Sequence, residues 1–363
     1  MKVSILGGGN AAYAQAFHCV QLGHEVLIHV PEPFKSEVQA IIDTGCVEAI
    51  QRCEKSVSPL YGVSKISKVT TSMKEAVEFS NVLLVTIPAF GQRPTFEAAL
   101  PYLTKDHVIV NLPGNLVFLE VTEIVKEKTS LDVKKDLPFT IVECSSIPYA
   151  CRKTGGNKVF IIGTKTSMYA GVYPSSRTEA ALSLIAPLFS LKLNPVKNVI
   201  EAALNNLNYL LHPPITIYNA GWIQAKKGDF EFYKEGATSG ILRLMAALDE
   251  ERIKVAKAAG FDVPTMLTIG KTIYSDTKSE SLDDFIMNAT QYETIKAPPS
   301  LNTRLITEDM NYAFVPIFKY LGGKYNVETP IADAIITSAK YLSGFSMEAA
   351  RKFENFPRDL SEI

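Results

Sequence analysis

The 363-residue sequence predicts a doubly wound α/β domain followed by a mostly α-helical one. Three observations carry this expectation. Apolar strand-like runs alternate with helical stretches through the first half, a glycine-rich turn joins the first strand to the first helix, and helical periodicity takes over in the second half. The length also exceeds what one ordinary core organises, so one domain is expected over residues 1–190 and another over 191–363.

Residues 2–6 form a β-branched apolar run, residues 10–22 carry apolar side chains at helical spacing, and residues 25–30 are again strand-like. This is a βαβ unit. Further strands are expected at 81–87, 107–112 and 139–142, separated by helices near 95–103 and 116–128, which together describe a parallel sheet covered on both faces. From Ile147 the alternation fades, and one further strand is read at 158–163. Helices follow at 176–188, 199–211, 215–224, 240–259, 307–320 and 330–342. In the helix 240–259, Asp249, Glu250, Glu251 and Arg252 are expected opposite a stripe of Ile241, Leu244 and Leu248, with Gly260 marking the end. Residues 275–303, with Pro298-Pro299, read as a loop suited to act as a mobile flap.

Lys plus Arg number 37 and Asp plus Glu 38, so no excess charge is available to gather nucleic acid or anionic lipid, and a small-molecule partner is favoured. No apolar stretch approaches the length of a membrane span, and the chain is expected to be soluble. Cys19, Cys46, Cys53, Cys144 and Cys151 make an odd set with no C-x-x-C spacing. That argues against a disulfide framework and a zinc site, and for a reducing cytoplasm with no metal.

Gly7-Gly8-Gly9-Asn10-Ala11-Ala12 closes the first strand and opens the first helix, matching G-x-G-x-x-A. Glycine lets backbone N–H groups approach a pyrophosphate, whose charge the helix N-terminus stabilises. Gly7, Gly9, Asn10, Ala11 and Ala12 are therefore candidate contacts of a dinucleotide in a Rossmann-type domain, the alternative being an ordinary tight turn. After the second strand comes Val30-Pro31-Glu32, where Glu32 would repel a 2′-phosphate. This leans toward NADH within an NAD(P)H requirement, although Glu32 serves equally well as a helix N-terminal charge. Pro88, Ala89, Gly114 and Asn115 follow later strands and either line the nicotinamide half of the cofactor site or serve only as turn formers.

Reduction of C=O or C=N needs a proton donor, and the sequence holds five histidines. His18, His24, His29 and His107 fall in the first helix, beside the second strand or at the wrong end of a strand. His212 differs. Asn205, Asn208 and His212 stand at i, i+3 and i+7, giving one helical face two amides and an imidazole, with Asn208 a candidate substrate contact. The alternative is a C-terminal histidine complementing a helix dipole, since Pro213-Pro214 follows. Further on, Thr307 reads as an N-cap that makes Glu308 and Asp309 dipole-compensating charges, and Arg304 is either a carboxylate clamp or a solvated charge.

Several segments, taken in order, resemble the octopine/nopaline type of opine dehydrogenase. They are Ile87-Pro88-Ala89-Phe90, Leu112-Pro113-Gly114-Asn115, Ile147-Pro148-Tyr149-Ala150-Cys151-Arg152, Leu211-His212-Pro213, Tyr218-Asn219-Ala220-Gly221, Tyr233-Lys234-Glu235-Gly236, Leu248-Asp249-Glu250-Glu251-Arg252 and Arg304-Leu305-Ile306-Thr307-Glu308-Asp309. The resemblance implies that His212 is the general acid/base, that Asp309 is its carboxylate partner, and that Arg304 binds the carboxylate of a keto acid. It also implies that Asn115 and Ser146 contact that keto acid. The implied reaction is NAD(P)H-dependent reductive condensation of an α-keto acid such as pyruvate with the amine of an amino acid, by a monomer or homodimer. Two rivals stand beside it: a ketopantoate-type or 2-hydroxyacid carbonyl reductase, and a protein that senses NAD(P) without chemistry.

Overall fold

The structure is a computed structural model that describes residues 1–51, 60–131, 137–353, 360 and 363. Cys53 lies outside the described residues. The chain divides into two compact units, Met1–Val199 with Ile363, and Ile200–Glu362.

The strands of the first unit, in chain order, are β1 (Lys2–Leu6), β2 (Glu25–His29), β3 (Cys46–Ile50), β4 (Gly62–Lys65), β5 (Lys68–Thr70) and β6 (Val82–Val85). They continue with β7 (Val108–Asn111), β8 (Thr140–Cys144), β9 (Tyr149–Gly155), β10 (Lys158–Thr164), β11 (Ser167–Tyr173) and β12 (Lys192–Pro195). Eight of them form one sheet in the order β12-β11-β8-β7-β6-β1-β2-β5. Every neighbouring pair in it is parallel except β8 with β11. Val3, Ile5, Val26, Ile28, Leu84 and Val110 are fully buried, as expected for strands covered on both faces. Ser4 is buried among them, and its hydroxyl donates to the Ala76 carbonyl at 2.6 Å. The strand order reverses at β1, with β2 on one side and β6 on the other, so the ends of β1 and β6 form the crevice where such sheets bind ligands.

The fading of strand alternation read from Ile147 is corrected by the structure, while the strand expected at 158–163 is present as β10. Residues 149–173 are mostly strand, and β4-β3-β10-β9 make a second sheet of four strands. β9 and β10 pair as a hairpin in which Gly155 opposes Lys158, leaving Gly156-Asn157 as its tip. That dipeptide is a turn signal, and of the two arms only the second, with the apolar run Val159-Phe160-Ile161-Ile162, marks itself as a strand in the sequence.

The second unit is helical, and its boundaries differ from the expected ones in informative ways. In place of one helix over 199–211, there is a helix Val199–Leu204 and another, Asn208–Tyr218. The asparagines between them compete for backbone partners: the Asn205 amide donates to the Glu201 carbonyl at 2.9 Å, and the Asn206 amide oxygen accepts from Asn208 N at 2.9 Å. The second of these helices continues through Pro213 and Pro214. Neither proline can donate its i→i−4 bond, at a cost of about 3 kcal/mol for each. Tyr209, Leu210, Leu211, Ile215 and Ile217 are buried on that helix and offset the loss, at roughly 1.5–3 kcal/mol per side chain.

Thr303 rather than Thr307 is the N-cap of the next site helix, Arg304–Asp309, its hydroxyl accepting from Leu305 N. The helical path then widens into π-helical turns over Met310–Phe314 and Pro316–Leu321. Residues 275–303 are not simply a loop, since they contain the helix Leu282–Asn288 with a Ser281/Asp284 capping box.

Of the four charged residues expected on the outer face of the helix Ser239–Ala258, Glu250 is exposed but the other three are not. Arg252 is fully buried, and Asp249 and Glu251 are nearly so. Asp249 Oδ1 accepts from Arg252 Nε at 2.8 Å and its Oδ2 from Met266 N at 2.7 Å, while Arg252 also donates to the carbonyls of Leu204 and Pro264. Glu251 accepts from Ile331 N at 2.7 Å and Ala332 N at 3.0 Å, capping the helix Pro330–Ser343. These carboxylates join separate helices into one body. Replacing Asp249 with Ala leaves a buried guanidinium without its counter-charge and is expected to destabilise the unit by about 3–5 kcal/mol, read as a lower midpoint in urea unfolding. An unchanged midpoint would show that the pair contributes nothing.

Candidate active site

The glycine turn sits at the C-terminal end of β1. Gly7 adopts φ +137°, and a Cβ there would lie 2.8 Å from Thr86 Oγ1 at the end of β6. Only glycine fits that close approach. Gly9 begins the helix Asn10–Gln21 with no side-chain cap and no acid in its first turn, and a Cβ on it would meet nothing within 4 Å. Open space therefore faces backbone N–H groups at a helix N-terminus, and the residues present fit a dinucleotide pyrophosphate.

Lys153 on β9, which the sequence did not single out, holds this turn in place. Its Nζ donates to the Gly8 carbonyl at 3.1 Å and to the Glu37 carbonyl at 2.9 Å, while its backbone N donates to Asn10 Oδ1 at 2.8 Å. The same ammonium lies 4.4 Å from the centre of the Tyr13 ring. Burial, aided by the nearby Glu37 charge, pushes the Tyr13 phenol up to about 12, so it stays protonated and donates to the Glu37 carbonyl at 2.7 Å. Glu32 is exposed at the start of the 3₁₀ turn Glu32–Val38, 3.7 Å from Lys35.

The other expected contacts of this unit follow strand ends. Pro88 is partly buried and Ala89 is buried at the start of a 3₁₀ turn after β6. Asn115 and Leu116, after β7, both take left-handed conformations, with φ +54° and +64°. Such non-glycine strain collects at ligand sites and needs support from its surroundings. Glu143 on β8 gives that support: its carboxylate accepts from Leu116 N and Phe118 N, each at 2.8 Å, and a Cβ on Gly114 would strike it. Ser146 is buried just beyond β8.

In the second unit the structure brings His212 and Asp309 together. Nδ1 of His212 lies 2.6 Å from Asp309 Oδ2, and both side chains are nearly buried. Asp309 stands in the second turn of its helix, past the positions where an acid merely offsets the dipole. His212 lies inside its helix and not at a C-terminus, which removes the dipole reading of that residue too. The single polar face expected for Asn205, Asn208 and His212 is divided by the helix break, and Asn208 opens the helix that carries His212. Arg304 is largely exposed, with its guanidinium 3.9 Å from Glu308 Oε2.

A third member was missed: the Tyr233 hydroxyl lies 2.8 Å from His212 Nε2. Tyr233 belongs to a turn after the bridge that pairs Glu231 with Lys296, and nothing in its local periodicity marks it. Phe232 meets the imidazole edge-on, with centroids 6.0 Å apart. The remaining histidines are engaged elsewhere. His18 bonds to the Tyr149 hydroxyl at 2.7 Å, with burial holding its imidazole below the ordinary value, and His107 bonds to Thr104 and to the Val77 carbonyl. Among the described residues no group of three or more His, Cys, Asp or Glu side chains is placed to hold a metal ion, and no helix is long and apolar enough to cross a membrane.

Residues 195–343 match the family model described as NAD/NADP octopine/nopaline dehydrogenase, alpha-helical domain. An opine dehydrogenase of Arthrobacter sp. (strain 1C) is 28% identical over 334 residues, covering 92% of this chain and 88% of that protein. A solved octopine dehydrogenase with NADH and L-arginine superposes with a TM-score of 0.76 at 21% identity, covering 97% of this chain and 92% of that one. The structure of octopine dehydrogenase with NADH and pyruvate gives 0.73 at 21% identity, with the same coverage. The chain is thus similar in sequence to the opine dehydrogenases over most of its length, its residues 195–343 match the octopine/nopaline dehydrogenase alpha-helical domain, and its fold is that of the solved octopine dehydrogenase.

Proposed function

We propose that the protein catalyses NAD(P)H-dependent reductive condensation of an α-keto acid, pyruvate or a close analogue, with the amino group of an amino acid, acting on a CH–NH bond in reverse. The observation that carries this reading is the His212–Asp309 hydrogen bond, set in a helical unit that matches the octopine/nopaline family. The pyruvate and L-arginine present in the octopine dehydrogenase structures support the two substrate classes. The dinucleotide, when bound, supplies the hydride that reduces the C=N carbon. Gly7, Gly9, Asn10, Ala11 and Ala12 would hold its pyrophosphate, with Pro88 and Ala89 lining its nicotinamide half. Glu32 disfavours a 2′-phosphate on the adenosine ribose, so NADH is the preferred form.

Asp309 accepts the Nδ1 proton of His212 and so leaves Nε2 as the atom that exchanges protons with the reaction. In the condensing direction the imidazolium gives a proton up as water leaves. In the reverse direction the neutral imidazole takes one. Arg304 is assigned to the keto-acid carboxylate, since its exposed guanidinium can exchange the 3.9 Å contact with Glu308 for a bidentate pair, and Asn115, Ser146 and Asn208 are assigned to substrate contacts.

The decisive experiment follows NADH and NADPH oxidation with pyruvate, with and without each amino acid. Oxidation that requires the amine is expected. An equal rate with pyruvate alone would mark a carbonyl reductase, and binding without turnover would mark a sensor. In the same assay His212→Ala is expected to lower kcat roughly 10²- to 10⁴-fold while leaving dinucleotide Kd unchanged, and full turnover would remove His212 from the mechanism. Arg304→Leu is expected to raise KM for the keto acid by roughly tenfold to a hundredfold with a smaller effect on kcat; an unaltered KM would refute the clamp.

A further inference from the structure

Both ring nitrogens of His212 face protein atoms, Nδ1 the Asp309 carboxylate and Nε2 the Tyr233 hydroxyl. A proton leaving Nε2 therefore passes to the phenol unless the tyrosine moves aside. The tyrosine is held where it is. Its ring stacks on Tyr292 with centroids 4.1 Å apart and planes 19° from parallel, and Phe232 packs edge-on at 5.0 Å. Its turn is tied to a second segment by Phe232 N donating to the Ile295 carbonyl at 2.7 Å. Lys234 Nζ adds bonds to the carbonyls of Ile286 and Met287 at 3.0 and 2.6 Å. Swinging the ring out would break the stacking and expose a side chain that is only 7% accessible.

We propose that Tyr233 is the proton donor the substrate meets, standing between His212 and the reacting oxygen; the inference rests on the reductive-condensation reading. Once the amine nitrogen has added to the keto carbon, that carbon carries a hydroxyl that must leave. The phenol gives its proton to this oxygen. As the C–O bond breaks, its electron pair departs with water, and the nitrogen lone pair closes the C=N bond. The imidazolium Nε2–H restores the phenol, so Tyr233 ends unchanged and His212 ends neutral, with its remaining proton on Nδ1 facing Asp309. One solvent proton recharges the imidazole in each turnover, which equals the proton the overall reduction consumes. A free phenolate is disfavoured near neutral pH, where an unperturbed tyrosine titrates at about 10, so the two transfers occur together.

The test is the single-turnover rate of NADH oxidation with pyruvate and an accepted amino acid in mixtures of H₂O and D₂O. The wild type is expected to show a curved dependence on deuterium fraction, the mark of two protons in flight. Tyr233→Phe keeps the ring and its stacking; its rate is expected to fall at least roughly tenfold, with KM for pyruvate within about twofold and a linear dependence on deuterium fraction. A linear wild-type dependence overturns the relay even if the variant fails to fold. So does undiminished turnover by Tyr233→Phe, which would make the hydroxyl a mere cover over Nε2. A wild type inert with every amine and keto acid overturns the reaction reading itself and the inference with it, which separates that failure from failure of the tyrosine step.

Discussion

The proposed chemistry rests on the bond between His212 Nδ1 and Asp309 Oδ2, formed at 2.6 Å across 97 residues of chain. It fixes which ring nitrogen carries the proton in the neutral imidazole. With both side chains largely withdrawn from water, the attraction is screened less than a surface pair would be. Each partner is positioned by features of its own helix. Thr303 sets the register that places Asp309 in a second turn, just before the path widens at Met310, and packing keeps the His212 helix intact through two prolines.

The first unit applies the same economy of placement to a different task. Its strand order reverses at β1, and there a turn of three glycines leaves a helix N-terminus uncapped. The second sheet sends Lys153 to hold that turn from outside, while Glu143 braces the left-handed residues after β7. Both supports come from strands far from the glycine motif in sequence, so local residues form the turns and distant residues supply their rigidity.

What could be read in advance follows the range of the interactions. The strand, glycine turn and helix over residues 2–21 are local, and their order in the sequence is their order in space. The long helix Ser239–Ala258 was equally legible, but the fate of its charges was not, because Arg252 and Asp249 are satisfied by carbonyl and amide groups of other segments. Thr307 was read as the cap, whereas Thr303, four residues earlier, holds that place with its hydroxyl accepting from Leu305 N. Pro213-Pro214 reads as a stop, yet the buried apolar face of that helix outweighs the lost bonds. The joining of Asp309 to His212 was expected from family resemblance, whereas spacing alone left the capping reading open. Tyr233 stood in one of the segments that carry the resemblance, but its role was beyond reach, since its place depends on a turn stitched to residues some sixty positions later, between Glu231 and Lys296.

The central claim is that His212 and Asp309 share a short, charge-assisted hydrogen bond. Proton NMR of the imidazole N–H region at acidic to neutral pH tests it most directly. A far-downfield resonance is predicted that disappears in His212→Ala and moves strongly upfield in Asp309→Asn. Absence of such a resonance, or one indifferent to the Asp309 substitution, would contradict the account.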